Sequence, residues 1–328
     1  LGGMLRVGIP DYRLPQDVLD AEIDYLLSHG IEVQTGISFG TGLSMNNLRA
    51  QGFAAVFLGI GAHASMSINI PGEDAATTVR DAVSLLRNVN LGQRETPGEK
   101  VIVIGGGNVA IDAARVIKRL GSQEVTVVYR RTEIEMPGYA EEIEGALEEG
   151  IDIQYLSSPM GILCQGDRVT GCRCIRNELG PPDASGRRRP VPDKGSEFDL
   201  PCDCVVPSIG QKVVADWVAD EPVLELTRRN PFQVDPFTMQ TGIPDLFAAG
   251  EAVTGPTTVI EAVAAGHKAV TAMHAFLNQT EIDLPAEQTG GQESPEPNWK
   301  ALPQDVPRAD RAVSQKRGAD QRIRTFEE

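Results

Sequence analysis

Gly105, Gly106 and Gly107, followed by Asn108, Val109 and Ala110, are the residues of this chain whose spacing most directly implies chemistry. The β-branched run Val101-Ile102-Val103-Ile104 precedes them and the helix-compatible residues 111–120 follow, so the order is strand, tight turn, helix. Gly105 supplies the backbone freedom of the turn, Gly107 lets the main chain approach a pyrophosphate, and Ala110 permits close packing of helix on strand. The helix N-terminus adds free N–H groups and a partial positive charge. After Gly121, residues 124–129 form a second buried strand. The residue closing that strand separates the two nicotinamide nucleotides. An acid would bond the ribose 2′-hydroxyl, whereas Arg130 and Arg131 suit a 2′-phosphate dianion. NADPH is the expected ligand.

A second constellation lies further on. Residues 246–249 read as a buried strand ending in Gly250 and Glu251, then Gly255, Thr257 and Thr258 lead into an amphipathic helix over 259–277. The carboxylate can accept a hydrogen bond from a sugar-alcohol hydroxyl, and the helix N-terminus can face the electron-rich edge of a reduced flavin.

Other reactive side chains carry less. Cys172/Cys174 and Cys202/Cys204 have one intervening residue each, tighter than metal knuckles, and are expected to be ordinary buried thiols, with no metal. Period two points both sulfurs of a pair to one face, so the pairs meet only if their strands are neighbours. His29, His63, His267 and His274 are scattered and assemble no hydrolytic triad. Arg187, Arg188 and Arg189 lie in a Pro/Gly-rich stretch, 180–195, read as a loop with a solvated basic face. The acidic run Glu141, Glu142, Glu144, Glu148 and Glu149 reads as a solvent-exposed helix. No catalytic acid or base is expected.

The elements that must position these groups follow from periodicity and stop signals. Helices are expected over 17–29, 46–50, 81–90 and 140–149, and strands over 31–35, 54–58, 151–156, 160–164, 168–177 and 204–209, the last ending at Gly210, which is placed with the cofactor-binding residues. Beyond Asn278 the chain turns polar and proline-rich and is read as an extended arm. At 328 residues it is long enough for two ordinary domains. The net charge of −16 argues against a nucleic-acid partner. No apolar run reaches the roughly 20 residues of a membrane span. An odd count of five cysteines does not suggest a secreted disulfide framework, and a reducing cytoplasm is expected.

Taken jointly, these motifs resemble the small (β) subunit of bacterial glutamate synthase and its relatives, the NADPH-dependent FAD oxidoreductases that feed electrons to iron–sulfur partners. The stretch from Gly2 to Pro15 looks like the family's flavin-side loop, Phe57-Leu58-Gly59-Ile60-Gly61-Ala62 resembles the strand end beside the FAD, and 241–266 resembles its C-terminal FAD motif. The resemblance implies that Gly3, Arg6, Gly61, Gly250, Glu251 and Thr258 line the FAD, and that electrons pass from NADPH to FAD and on to an iron–sulfur protein or domain, with a large catalytic subunit as a possible partner. The family places Asp where this chain has Glu251. It also places a first strand–GxGxxG–helix ahead of the segment that opens this chain, and usually a cysteine-rich iron–sulfur domain. The expected fold is therefore α/β, a Rossmann-like NAD(P)-binding domain inserted into an incomplete, glutathione-reductase-like FAD-binding domain. Its divisions are 1–72 partial FAD-binding domain, 73–212 NADPH-binding domain, 213–280 return of the FAD-binding domain and 281–328 polar tail. The alternative is an NADP(H)-binding scaffold or sensor without flavin.

Overall fold

The computed structural model describes residues 1–40, 42–183, 186–215, 232–282 and 316–326. The first elements are α1 (Gly3–Val7), α2 (Gln16–Leu27), α3 (Met45–Ala50), β1 (Val56–Leu58), β2 (Ala64–Ser65) and α4 (Ala82–Asn90). Then come β3 (Lys100–Ile104), α5 (Asn108–Arg119), β4 (Glu124–Val128), α6 (Ala140–Glu148) and β5 (Asp152–Gln154). They are followed by β6 (Ser157–Gln165), β7 (Arg168–Pro182), β8 (Arg188–Pro192), β9 (Phe198–Pro201) and β10 (Cys204–Pro207). The last are β11 (Gln211–Lys212), β12 (Leu246–Ala248), α7 (Glu251–Thr254), α8 (Val259–Asn278) and α9 (Ala319–Arg322).

The chain divides into two compact units. One comprises Leu1–Val33, His63–Gln211 and Arg317–Glu328, the other Gln34–Ala62 and Lys212–Lys316. In the first unit β10, β3, β4 and β5 form a parallel sheet in that order. Val101 faces Val125 and Val103 faces Val127 in register. Both faces of this sheet are covered, which is why its strands are nearly continuous apolar runs. Val101, Val103, Val125 and Val127 pack on α4, α5 and α6 through Leu86, Ile111, Ile117 and Ile143. Ile102, Ile104, Val128 and Val205 point the other way, as period two requires, onto Ile162, Val169, Cys172 and Cys174. Those last residues belong to an antiparallel layer in which β7 pairs with β6, β8 and β9.

Several expectations change here. The stretch 180–195 is not a loop: its ends form the β7–β8 hairpin, with Asn177 opposite Pro192 and Pro182 opposite Arg188. Residues 31–35 form no strand; they are exposed and unpaired to any other strand. The N-terminal segment packs on α4 and α5, with the Asn90 amide donating to the Arg6 and Ile9 carbonyls and Arg13 Nη1 donating to both carboxylate oxygens of Asp112 of α5. Residues 1–33 thus cluster with 63–211 in the first unit. Of the proline-rich tail, 283–315 lies outside the described residues, while α9 and Phe326 return to the first unit, where Phe326 packs on the helix-side core.

The second unit is built on β1 and β12, parallel and in register from Val56–Leu246 to Leu58–Ala248. Met45, Leu58, Phe232, Leu246 and Ala248 form its core. Arg49 of α3 holds Asp245 through two hydrogen bonds of 2.7 Å, fixing the entry to β12. α3 and α8 both begin with reciprocal capping boxes, Ser44 with Asn47 and Thr258 with Glu261.

Candidate functional site

The site in the first unit is the carboxyl end of the parallel sheet, where three strand ends meet. β3 runs into Gly105, whose φ of +145° is a conformation that side-chain-bearing residues rarely adopt. A Cβ there would lie 2.2 Å from the Ser208 carbonyl oxygen, just past β10, and Ser208 N–H itself donates to the Ile104 carbonyl at 2.8 Å. Gly106 is required for a second reason, because its Cβ would meet the Tyr129 ring at 2.4 Å. Tyr129 follows β4, is buried, and donates its hydroxyl to the Glu135 carbonyl at 2.6 Å. Gly107 differs from both: a Cβ there would meet nothing within 4 Å, and its φ of −87° is ordinary. Its direction faces open space, as approach by a ligand requires.

Helix α5 starts at once. Its first bonds run from Ala110 and Ile111 N–H to the Gly107 carbonyl at 3.0 and 3.2 Å, so the N–H groups of Asn108 and Val109 precede the helical ladder. The Asn108 side chain accepts from Tyr139 N–H at 2.9 Å and Gly138 N–H donates to the Gly106 carbonyl at 3.1 Å, which holds residues 138–139 against the turn. Ala110 is fully buried, as close packing of helix on strand demands. Gly210 closes the third strand end. Its φ is +139°, its carbonyl accepts from Met66 N–H at 3.0 Å, and a Cβ would lie 3.2 Å from the Met66 sulfur. Beyond Pro207 a cleft of about 480 Å³ opens at the same end, lined among others by Ser65, Met66, Asp81 and Ser84.

The two arginines after β4 are not equivalent. Arg130 is exposed, and its backbone carbonyl is held by the Asn177 amide at 3.0 Å. Burial of its stem, then the Arg131 and Arg187 cations, lowers its pKa from the usual guanidinium value. Arg131 is 3% exposed and turned inward. Its Nη2 donates to Asp183 Oδ2 at 2.7 Å and its Nε to the Arg188 carbonyl at 2.6 Å. Asn177 and Asp183 were not singled out in the sequence; only the fold brings them to this strand end, and no local pattern marks them.

The residues assigned to a flavin divide between the units. Gly3 and Arg6 belong to the first, where Gly3 has a φ of +53° and Arg6 donates to Gln16 at 2.9 Å and pairs with Asp20. Gly61, Gly250, Glu251 and Thr258 belong to the second. There, Gly61 and Gly250, with φ of +64° and +66°, follow the carboxyl ends of the paired parallel strands β1 and β12, the position at which α/β sheets take ligands. Glu251 opens α7 and accepts from Thr257 N–H at 3.4 Å; Thr258 caps the 20-residue α8. These turns fit a nucleotide cofactor bound across the strand ends.

The cysteines lie on both sides of the parallel sheet. Cys172 and Cys174 share one face of β7, with sulfurs 3.8 Å apart, and Cys202 joins that core, but Cys204 lies in the core on the helix side of the sheet. Among the described residues no group of three or more His, Cys, Asp or Glu side chains is placed to hold a metal ion. The acidic helix also differs from its expected role. Glu149 is buried, its carboxylate shared by Arg115 and Arg119 of α5 and approached by Arg322 of α9 at 3.6 Å. Tyr12 lies under both α5 guanidinium groups, at 4.6 and 4.0 Å from its ring centre.

The sequence profile of the pyridine nucleotide-disulphide oxidoreductase family matches residues 12–266. The chain belongs to this family. Family relatives include the NADP(+)-dependent formate dehydrogenase subunit beta of Moorella thermoacetica, 42% identical over 280 residues, covering 85% of this chain and 39% of the relative. The NADPH-Fe(3+) oxidoreductase subunit beta of Geobacter sulfurreducens is 36% identical over 301 residues, covering 85% of this chain and 45% of the relative. The glutamate synthase [NADPH] small chain of Escherichia coli is 33% identical over 292 residues, covering 84% of this chain and 61% of the relative. The chain thus spans less than half the length of the first two. Among solved structures, Mycobacterium tuberculosis FprA in complex with NADPH superposes with a TM-score of 0.69 at 20% identity, covering 84% of this chain and 75% of FprA. That likeness establishes a shared α/β fold. The resemblance to glutamate synthase small subunits read in the sequence is borne out by these relatives, as is the α/β fold class. Among the described residues no helix is long and apolar enough to cross a membrane.

Proposed function

We propose that the chain is the NADPH-oxidising flavoprotein module of an electron-transfer oxidoreductase. The observation that carries this reading is the strand–glycine turn–helix at Gly105–Gly107. Gly105 and Gly106 are fixed by packing, Gly107 opens outward beside free helix N–H groups, and exposed Arg130 closes the next strand. Support comes from relatives whose names specify NADP(H) and subunits of larger systems.

In this reading the pyrophosphate lies over Gly107, Asn108 and Val109, and the adenosine 2′-phosphate lies at Arg130. The residues of the second unit that would hold FAD are Gly61, Gly250, Glu251 and Thr258. When bound, a flavin supplies conversion between a hydride and single electrons. The protein's own part is binding and orientation, and no side chain is required to move a proton. The Glu251 oxygens left by Thr257 are acceptors for a sugar-alcohol hydroxyl. The electron acceptor is an iron–sulfur protein or domain, as the resemblance implies.

The absorbance spectrum of the purified protein, recorded before and after anaerobic addition of NADPH, tests this. Flavin bands that bleach are expected. A colourless protein that binds NADPH would instead leave a nucleotide-binding scaffold, and one that binds neither cofactor would overturn the reading altogether.

A further inference from the structure

The chain that follows β4 is gripped along its backbone. Tyr129 N–H donates to the Gln154 carbonyl, Ser157 N–H to the Tyr129 carbonyl and Leu156 N–H to the Arg131 carbonyl, each at 3.0 Å. Leu156 has a φ of +50°, a left-handed conformation that a bulky side chain takes only where its surroundings impose it. The Arg130 carbonyl is met by a side chain instead. Asn177 Nδ2 of β7 donates to it at 3.0 Å and to Ser158 Oγ at 2.8 Å. Asn177 is 5% exposed, and its own N–H donates to the Leu156 carbonyl at 2.7 Å, so one buried residue fixes both the kink and Arg130. Turned over, the amide would set its oxygen against the Arg130 carbonyl, so the donor can only face this way.

The two guanidinium groups on this stretch differ in kind. Arg131 is spent inside the protein, its Nη2 on Asp183 Oδ2 at 2.7 Å and its Nε on the Arg188 carbonyl at 2.6 Å, both in the β7–β8 hairpin. Exposed Arg130 makes no hydrogen bond or ion pair through its guanidinium among the described residues.

We infer that Asn177 is a positioning residue for nucleotide discrimination. It holds the main chain from which Arg130 meets a 2′-phosphate, and Arg131 braces the same turn as a strut that the phosphate does not touch. A guanidinium fork binds a phosphate dianion through directional, charge-assisted hydrogen bonds, so the aim of its main chain matters. A cation carried on backbone already fixed also loses less freedom on binding. A 2′-hydroxyl draws on neither effect. This inference rests on the NADPH reading given above.

The test is the dissociation constant for NADPH and for NADH, measured by nucleotide fluorescence on the full chain and its variants, with adenosine 2′,5′-bisphosphate as the probe for the phosphate itself. Asn177→Ala is expected to raise the constant for NADPH about fivefold and that for NADH less than about twofold, as loss of pre-organisation at Arg130 alone would do. Asn177→Gln keeps an amide and should recover part of the loss; it carries the test if the alanine variant does not fold. In an Arg130→Gln background neither Asn177→Ala nor Arg131→Met should lower the preference for NADPH further, because both act through Arg130. If Arg130→Gln removes the preference while the Asn177 variants keep it, the positioning role fails and the NADPH reading stands. Equal losses for both nucleotides would overturn it as a structural effect only. A further selective loss in the Arg130→Gln background would overturn it by showing direct contact with the phosphate. If Arg130→Gln leaves the preference untouched, the 2′-phosphate assignment fails as well.

Discussion

Gly105 and Ser208 are in backbone contact across the ends of β3 and β10, so close that a Cβ on Gly105 would stand 2.2 Å from the Ser208 carbonyl oxygen. The glycine turn is thus locked to a strand a hundred residues away in sequence, and its shape is set by packing before any ligand arrives.

This separates the three glycines experimentally. Gly105→Ala combines a backbone clash with a φ of +145° and is expected to cost at least about 1–3 kcal/mol of stability. Gly107→Ala meets no atom and no conformational strain, so its stability should stay within about 1 kcal/mol of wild type. Its Cβ projects where a pyrophosphate would lie, and NADPH affinity should fall at least tenfold. Urea denaturation and nucleotide titration of the two variants check this; a Gly107→Ala protein that binds NADPH normally contradicts the placement.

The buried carboxylate of Glu149 serves two α5 arginines and Arg322, so its removal leaves cations in the interior. Glu149→Gln is expected to destabilise the fold by about 3–5 kcal/mol, measured by chemical denaturation. A loss below 1 kcal/mol would show that water reaches these groups.

Asp112 gives a pH dependence of definite sign. Burial raises its pKa to about 6, against the opposing pull of Arg13. The folded chain therefore takes up this proton before the unfolded chain does, and through this residue stability rises as pH falls from about 7 towards 4. Wild type should gain stability relative to Asp112→Asn over that window. A difference that shrinks on acidification would mean that the Arg13 pair dominates.

The buried thiols should be inert. Burial pushes Cys202 and Cys204 up to about 12, leaving almost no thiolate at neutral pH. Cys172 and Cys174 are buried as well, whereas Cys164 is only partly so. With an aromatic disulfide reagent at pH 8, one fast thiol, Cys164, is expected in the native protein and four more only after denaturation. Rapid reaction of two or more would contradict this packing.

The elements legible in the sequence were those whose signal is local. β3, α5 and β4 carry apolar periodicity, a glycine turn and stop residues, and all three appear within a few residues of their expected bounds. The β7–β8 hairpin was illegible because β8 buries almost nothing: Arg188, Arg189, Val191 and Pro192 are exposed, so no alternation marks the strand. Residues 31–35 failed for the converse reason, having strand-like composition but no strand partner among the described residues. The inward turn of Arg131 and the burial of Glu149 depend on partners 52 and 34 residues away, Asp183 and Arg115, which local reading cannot supply.

The most direct measurement is calorimetric titration of the purified chain with NADPH and with NADH, alongside Arg130→Gln. Wild type should bind NADPH at least tenfold more tightly than NADH, and Arg130→Gln should abolish most of that preference while leaving NADH unchanged. Equal affinity for the two nucleotides in wild type, or a preference untouched by the substitution, would contradict an NADPH site at the end of β4.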